Sequence, residues 1–239
     1  MNNKTYLILD FDECLFEHPD NLDQQFCKAY AETAIEMGCP LDLEEAKRKA
    51  IQSFQERDLS HYIFADYGLD IEELYLRVHP HLFQKYVMRY EDEIRARNLR
   101  PYFDNENFEC AVLTHGTTQW ASDILNLLGM SDLFPDERII GLEKAKFQLK
   151  SQSEYPYNLA LSALGLSRHD IGEKEIIFVD DHPGNHKIPH AMGLHTILVT
   201  GRHYETPEET SSIKEIHPSL YHFLDTKKKA APKDGQVYG

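Results

Sequence analysis

The chain has 239 residues, of which 41% are hydrophobic, and this is enough for one large domain or two small ones with a buried core. Its formal net charge of −15 argues against binding to a nucleic-acid polymer, because such proteins present a basic face to the phosphate backbone. A small phosphorylated metabolite stays compatible with this charge, since a bound metal ion can supply positive charge locally.

The N-terminus and the cysteines predict a cytoplasmic protein without a membrane segment. No stretch approaches the roughly 18 consecutive apolar residues that indicate a membrane-spanning helix. Carboxylates interrupt the apolar run at the N-terminus, which therefore does not resemble a signal peptide. The four cysteines show neither a metal-binding spacing nor a disulfide framework, as is typical of reduced thiols: Cys14, Cys27, Cys39 and Cys110.

The first apolar run, over residues 6–9, predicts a strand that is buried on both faces. It ends at Asp10, and Asp12 follows two residues later. Residues two apart in an extended chain point to the same side, so both carboxylates can face one pocket at the carboxyl end of the strand. Open α/β sheets bind their ligands at this end. Carboxylates this close repel one another unless a divalent cation, a shared proton or a phosphoryl group lies between them.

The next part of the chain carries helical patterns and no clear strand. Four helices are predicted there: residues 22–37, 43–57, 71–76 behind Asp70 as its N-cap, and 81–97. The segment His79-Pro80-His81 is interpreted as the boundary between the last two helices, because proline lacks the backbone N–H of a helix interior. We therefore expect residues 18–102 to form a helical insert after the first strand.

Strand patterns resume after this insert, over residues 108–113, 175–179 and 196–199, with a short candidate at Ile139-Ile140. Helices are predicted between these strands, and such alternation indicates a doubly wound parallel α/β sheet of the Rossmann-like type. We expect a core domain formed by residues 1–17 and 103–224, a helical insert of residues 18–102, and a disordered tail over residues 225–239.

Each long buried strand ends in polar residues. Asp10 and Asp12 follow the first strand, Thr114 follows the second, and Asp180 and Asp181 follow a later one. Since the carboxyl ends of parallel strands share one edge of a sheet, these side chains can meet although they are far apart in sequence. Taken singly, Thr114 could equally be a helix N-cap.

The order of these groups resembles the four motifs of the haloacid dehalogenase-like superfamily, in its phosphatase branch with a helical cap. The motifs correspond to Asp10-Phe11-Asp12, to Thr114, to a lysine ahead of a helix, and to Asp180-Asp181. The resemblance covers about residues 6–199. It implies a Rossmann-like core with an inserted cap, and it implies that the core carries the catalytic groups.

The lysine motif has three candidates in this sequence. Lys150, ahead of the helix predicted over residues 155–164, is the best match, while Lys144 and Lys146 compete for the role. The chain departs from the usual pattern at Ser151, where proline is common in the family, and at Asn185, where many members have another acid. These departures leave room for a protein that keeps the fold without turnover.

Two segments are similar to the pyrimidine 5′-nucleotidase-like subgroup of this superfamily. One is residues 10–16, with Cys14 where threonine is commoner, and the other is the aromatic segment of residues 61–68. The resemblance implies a nucleoside monophosphate among the candidate substrates. Tyr62 and Tyr67 are then candidates for substrate contact, with membership of the cap core as the alternative.

The resemblance also implies the roles of the core residues. Asp10 would be the nucleophile that forms an aspartyl-phosphate, and Asp12 would protonate the leaving oxygen and then activate water. Mg²⁺ would be the cofactor, held by Asp10, the backbone carbonyl of Asp12, and Asp181, with Asp180 as a further ligand. The phosphate would be bound by the following residues: Thr114, His115, Gly116 and Lys150.

The leading hypothesis is thus a Mg²⁺-dependent phosphatase acting on a small phosphomonoester. A phosphomutase or a dehalogenase of the same superfamily is the alternative, and a phosphate-binding protein without turnover is another. Asp12 argues against a dehalogenase, which has no alkoxide leaving group to protonate. A mutase must hold a bisphosphate, and the cap sequence contains no evident cluster of arginine and lysine for that purpose. The oligomeric state and the particular substrate are not predicted.

Overall fold

The computed structural model of the protein describes residues 4–20, 22–57, 59–104, 108–201 and 210–230. These residues contain six strands: β1 (Thr5–Leu9), β2 (Phe108–Leu113), β3 (Ile139–Ile140), β4 (Glu175–Asp180), β5 (His195–Val199) and β6 (Glu215–His217). All six join one sheet in the order β3-β2-β1-β4-β5-β6, and each pair of neighbours is parallel. The predicted doubly wound parallel α/β sheet is confirmed, with β6 as an edge strand that the sequence pattern did not predict.

The α-helices in the described residues are α1 (Leu22–Glu36), α2 (Leu43–Arg57), α3 (Ile71–Lys85), α4 (Glu91–Arg95), α5 (Arg100–Phe103), α6 (Thr118–Leu127), α7 (Tyr155–Ala163), α8 (Lys187–Met192) and α9 (Leu220–Ala230). The first five lie between β1 and β2 in the chain, where the helical insert is predicted. None of the helices in the described ranges is both long and apolar enough to cross a membrane.

The two faces of the sheet are covered by different helices, because side chains alternate along each strand. On one face, Leu7 and Leu9 of β1 belong to a buried cluster that includes α6, α9 and much of the helical insert. On the other face, Ile8 belongs to a cluster formed with α7 and with Met192 of α8. Burial on both faces explains why β1 is a continuous apolar run.

The centre of the sheet brings three strand ends together. In the register of the sheet, Leu9 at the end of β1 lies opposite Val112 of β2 and Val179 of β4. The residues that come next, Asp10 and Asp180 among them, therefore lie side by side at the carboxyl edge. This edge is where doubly wound folds bind ligands.

Helix α3 runs through Pro80, where the sequence predicted a boundary between two helices, and the second predicted helix, over residues 81–97, is divided between α3 and α4. The helix begins as predicted, with Asp70 Oδ1 accepting a hydrogen bond from Glu73 N at 3.0 Å. It continues through Pro80 because its buried stripe continues, and packing of such a stripe supplies most of the stability of a helix in a folded protein. The stripe consists of Leu74, Tyr75, Val78, His79 and Leu82.

Helix α9 corrects the prediction that the chain is disordered from residue 225 onwards. Its apolar side chains Leu220, Phe223 and Leu224 are fully buried against the sheet cluster. In its following turn, Lys227 Nζ lies 2.7 Å from Glu175 Oε1 of β4, so the first turns of the predicted tail belong to a packed helix. Residues 231–239 of the predicted tail lie outside the described residues.

Candidate active site

Three buried aspartates meet at the carboxyl edge of the sheet. Asp10 follows β1, Asp180 ends β4, and Asp181 comes directly after it. One carboxylate oxygen of each lies within 4.8 Å of the others, and no other group of three or more potential metal ligands is found among the described residues. The parallel register of β1 and β4 thus brings together carboxylates that are 170 residues apart in the chain.

Lys150 contacts two of these three aspartates. Its Nζ is 2.7 Å from Asp10 Oδ1 and 2.6 Å from Asp180 Oδ2, and its side chain is only 2% exposed. The two competing lysines lie elsewhere: Lys144 Nζ donates to backbone carbonyls, and Lys146 Nζ lies over a tyrosine ring. Of the three candidates from the sequence, the structure brings Lys150 to the aspartates.

Burial and mutual repulsion set the pKa values of the cluster. Burial, together with the charge of Asp180, raises the pKa of Asp10 to about 7, although Lys150 opposes this shift. Burial and the charges of Asp10 and Asp180 also raise the pKa of Asp181 well above its ordinary value. Burial alone would raise the pKa of Asp180 as well, but Lys150 and other donors hold it below the ordinary value. A cation beside Asp10 and Asp181 would oppose both shifts, because it favours the charged form of each carboxylate and offsets their mutual repulsion.

Asn185 orients Asp180 and supplies no carboxylate of its own. Its Nδ2 lies 3.0 Å from Asp180 Oδ1 and 3.1 Å from Asp180 Oδ2. The backbone N–H of His182 donates to the same Oδ1 at 2.8 Å. The cluster therefore offers three carboxylates, a donor set of oxygen atoms alone, and this chemistry fits a hard divalent cation better than a transition metal that prefers nitrogen or sulfur.

Thr114 and Gly116 lie in the loop after β2 at the same edge. Thr114 is buried, and its Oγ1 accepts a hydrogen bond from Gly116 N at 2.8 Å, which leaves the hydroxyl proton available to another acceptor. A Cβ atom on Gly116 would lie 2.8 Å from Cδ1 of Trp120 and 3.4 Å from Oδ2 of Asp12. The space between Asp12 and this loop therefore depends on the absence of a side chain at Gly116.

His115 supports the position of Lys150. Its Nε2 accepts a hydrogen bond from the backbone N–H of Lys150 at 3.1 Å, and its carbonyl oxygen accepts one from Tyr75 OH of α3 at 2.6 Å. Burial, with a further contribution from the charge of Lys150, lowers the pKa of His115 to about 3. The neutral imidazole can therefore remain an acceptor for the Lys150 backbone throughout the physiological pH range.

The carboxylate of Asp12 lies apart from the three clustered aspartates. Its Oδ1 accepts hydrogen bonds from His18 Nε2 and Trp120 Nε1, each at 2.9 Å. Of the two donors, His18 is close in sequence to the Asp-x-Asp motif, but Trp120 is 108 residues away from Asp12 and no local pattern points to it. As a predicted metal ligand, Asp12 could therefore contribute its backbone carbonyl rather than its side chain.

The two cap tyrosines that the sequence singled out are half-buried. Tyr62 packs at the contact between the insert and the core, against a buried cluster that includes Tyr75 of α3 and Leu142. Its ring centroid lies 4.5 Å from that of His61. Tyr67 packs against the large cluster on the first face of the sheet. Their contact with a substrate stays a prediction.

Comparisons with known proteins identify similar structures. No protein-family model matches the chain, and no curated protein matches its sequence. A hydrolase from Pseudomonas syringae has a TM-score of 0.57 at 13% identity, covering 96% of this chain and 100% of that one. A beta-phosphoglucomutase from Clostridium difficile has a TM-score of 0.54 at 14% identity, covering 95% of this chain and 96% of that one. A conserved haloacid dehalogenase-like protein of unknown function from Agrobacterium tumefaciens has a TM-score of 0.51 at 12% identity, covering 96% of this chain and 100% of that one.

The position of Lys150 depends on Tyr157 of α7, and this dependence can be tested. Tyr157 OH lies 3.0 Å from the Lys150 carbonyl and 2.8 Å from the Asn185 carbonyl, all of them buried. We expect Tyr157→Phe to lower the free energy of unfolding by about 1–3 kcal/mol, because the two buried carbonyls lose the single hydroxyl proton that they share. Urea denaturation measures the change. Tyr155→Phe on the same helix, at a half-buried ring, is the control, and an equal effect of both substitutions would contradict this account.

Proposed function

Since the chain has the haloacid dehalogenase-like fold, we propose that it is a Mg²⁺-dependent hydrolase of small phosphomonoesters that works through an aspartyl-phosphate. One observation carries the proposal: Lys150 is buried in contact with Asp10 and Asp180, beside Asp181, at the carboxyl edge of the sheet. These groups come from distant parts of the chain, and together they offer a carboxylate nucleophile, a fixed positive charge and an oxygen site for a cation.

In the proposed reaction, a carboxylate oxygen of Asp10 attacks phosphorus in line with the leaving group. The bond from phosphorus to the leaving oxygen breaks, and Asp12 protonates that oxygen. Asp12 then takes a proton from the water that hydrolyses the aspartyl-phosphate and releases phosphate. Lys150 and the Thr114 hydroxyl would stabilise the negative charge on the phosphoryl oxygens in both steps.

The cation would be held by Asp10, Asp180 and Asp181, together with the backbone carbonyl of Asp12. When bound, Mg²⁺ supplies positive charge to the phosphoryl oxygens. Lys150 offsets part of the repulsion between Asp10 and Asp180, and the cation would further favour the charged, nucleophilic form of Asp10. Asn185 and the backbone of His182 keep Asp180 in one orientation.

The charges around the site favour an uncharged leaving group. Lys150 is the only lysine or arginine among the buried residues of the described ranges, and it is already paired with two carboxylates. A second phosphate, as in the bisphosphate of a mutase reaction, would have no comparable cation in the buried interior. The phosphomutase alternative is weaker for this reason.

His61 of the cap offers hydrogen-bonding groups that suit an uncharged leaving group. His61 is fully buried, and neither ring nitrogen has a hydrogen-bond partner among the described residues. Burial, with a smaller contribution from His79, lowers the pKa of His61 to about 3, so the neutral imidazole offers one donor and one acceptor. Leaving these nitrogens unpaired costs free energy, which a polar ligand would recover.

Aromatic rings surround His61. Its ring centroid lies 5.7 Å from that of Tyr30, 4.5 Å from that of Tyr62 and 5.3 Å from that of Tyr75. Tyr75 also donates its hydroxyl proton to the His115 carbonyl beside Thr114, which links this aromatic group to the phosphate side of the site. We therefore infer a leaving group that carries a polar ring, and a nucleoside monophosphate is one compound of this class.

Substitution of the nucleophile tests the proposed reaction. We expect Asp10→Asn to lower the Mg²⁺-dependent hydrolysis of p-nitrophenyl phosphate at least about a thousandfold, or roughly 4 kcal/mol of transition-state stabilisation, because the amide is a poor nucleophile. Asp132→Asn is the control, since Asp132 forms an exposed ion pair with Arg100. Activity of Asp10→Asn within tenfold of the parent would exclude Asp10 as the nucleophile.

Metal binding is tested by melting temperature after treatment with EDTA. We expect Mg²⁺ to raise the melting temperature of the parent but not of Asp181→Ala. The rise should be larger at pH 8 than at pH 6. Because the folded-state pKa of Asp10 is raised to about 7, the metal-free protein loses stability as Asp10 deprotonates with rising pH, and the cation replaces the lost proton.

The control for this metal titration is Asp225→Ala, which removes an exposed carboxylate on α9. This variant should respond to Mg²⁺ as the parent does. EDTA-resistant turnover of the parent, or an equal response of Asp181→Ala, would exclude the proposed metal site.

The role of His61 is tested by comparing substrates. We expect His61→Phe to lower kcat/KM for phosphomonoesters with polar-ring leaving groups at least about tenfold more than for p-nitrophenyl phosphate, since about 1.4 kcal/mol of hydrogen bonding corresponds to tenfold. Inhibition by inorganic phosphate should not change. His81→Phe, at a half-buried histidine paired with Glu32, is the control. Equal losses for all esters with a lower melting temperature would make His61 a core residue of the cap.

A further inference from the structure

We propose that His18 and Trp120 are positioning residues that hold Asp12 with one carboxylate oxygen free to face the leaving group. The inference rests on the proposed function, in which Asp12 protonates the leaving oxygen. Neither residue belongs to the four motifs, and they reach Asp12 from different elements. His18 lies just after the Asp-x-Asp segment, and Trp120 lies on α6.

The two oxygens of Asp12 have different surroundings. Oδ1 accepts two hydrogen bonds, from His18 Nε2 and Trp120 Nε1, both at 2.9 Å. Oδ2 accepts none from the described residues, and it lies on the side of Gly116, 3.4 Å from the position that a Cβ atom of that residue would take. The Asp12 side chain is 27% exposed, whereas the side chains of Asp10 and Asp180 are almost completely buried. Two donors on one oxygen fix the rotation of the carboxylate, so the free oxygen stays on the side of the loop after β2 that carries Thr114 and Gly116.

His18 is itself held on several sides. Its side chain is 8% exposed, and its Nδ1 lies 3.1 Å from Glu13 Oε1. The same oxygen accepts a hydrogen bond from the backbone N–H of His18 at 3.0 Å. Its ring stacks on Phe26 of α1 with centroids 5.2 Å apart. These contacts fix both ring nitrogens, so that Nε2 points to Asp12.

Trp120 connects Asp12 to the helical insert. The tryptophan is 1% exposed and lies in the first turn of α6, where Thr117 caps the helix. Its ring centroid lies 5.4 Å from that of Phe26 on α1 and 5.7 Å from that of His79 on α3. The orientation of the Asp12 carboxylate therefore depends on how the insert packs on the core.

This arrangement predicts which substrates depend on the two donors. An alkyl leaving group departs as an alkoxide unless it receives a proton, so its reaction needs Asp12 in the correct orientation. A p-nitrophenolate ion is stable without a proton, so its departure needs the acid far less. Values of kcat/KM cover the steps up to formation of the aspartyl-phosphate and exclude its hydrolysis, which is the same for every ester.

The experiment compares kcat/KM for an alkyl phosphate and for p-nitrophenyl phosphate in four variants: His18→Leu, His18→Gln, Trp120→Phe and Asp12→Asn. We expect His18→Leu and Trp120→Phe each to lose at least about tenfold more activity with the alkyl ester, which is a part of the roughly hundredfold to ten-thousandfold contribution of general acid–base catalysis. His18→Gln should recover much of the loss, because its amide nitrogen can donate to the same oxygen. His81→Leu, which removes another histidine–carboxylate contact of 2.9 Å, is the matched control and should change neither value.

Equal losses for the two esters in His18→Leu and Trp120→Phe would overturn the inference, because a structural role does not distinguish leaving groups. If one of these variants does not fold, the other decides the question alone. The Asp12→Asn variant shows whether only the positioning role of His18 and Trp120 is wrong or whether the proposed function is wrong as well. A loss in Asp12→Asn that depends on the leaving group supports the acid role of Asp12 even if the two donors prove dispensable. If Asp12→Asn affects neither ester, the proposed function fails together with the inference.

Discussion

One buried ammonium group compensates the carboxylates that crowd the carboxyl edge of the sheet. Lys150 contacts Asp10 and Asp180 at once, with almost no exposure to water. Removing charges from water is costly, and such a group is tolerated only where partners and further hydrogen bonds are in place. The segment of Lys150 is accordingly fixed by His115 and Tyr157 through its own backbone. The ends of β1, β2 and β4 are thus connected through a residue that belongs to none of them.

The site divides into two parts of different chemistry. On the core side, carboxylates, the lysine and the Thr114 loop form a charged surface suited to a metal ion and a phosphoryl group. On the side of the insert, histidine and tyrosine rings form a neutral surface around His61. Asp12 lies between the two parts, and both of its donors pack against α1. A phosphate on the core side and an uncharged leaving group on the insert side would match this division.

The similar structures establish the fold, and the site residues distinguish among its activities. A hydrolase and a beta-phosphoglucomutase share this architecture at low sequence identity. One fold can support several reactions because the reaction is determined by a few side chains at the strand ends and by the inserted cap. In this chain Asp12 is present and held by two donors, as expected where a leaving oxygen must be protonated. Asn185 adds no carboxylate to the site and donates to Asp180.

The sequence alone determined the features that depend on neighbouring residues. The apolar runs predicted the parallel sheet, and the polar residues at their ends predicted where Asp10, Thr114 and Asp180 would lie, because a strand end places its next residue at the sheet edge. Contacts between distant segments decided the rest: which of three lysines reaches the aspartates, that α3 continues through Pro80, and that Trp120 donates to an aspartate 108 residues away. Local periodicity carries no information about such contacts, since they arise only when burial of one helix against another fixes where each side chain points.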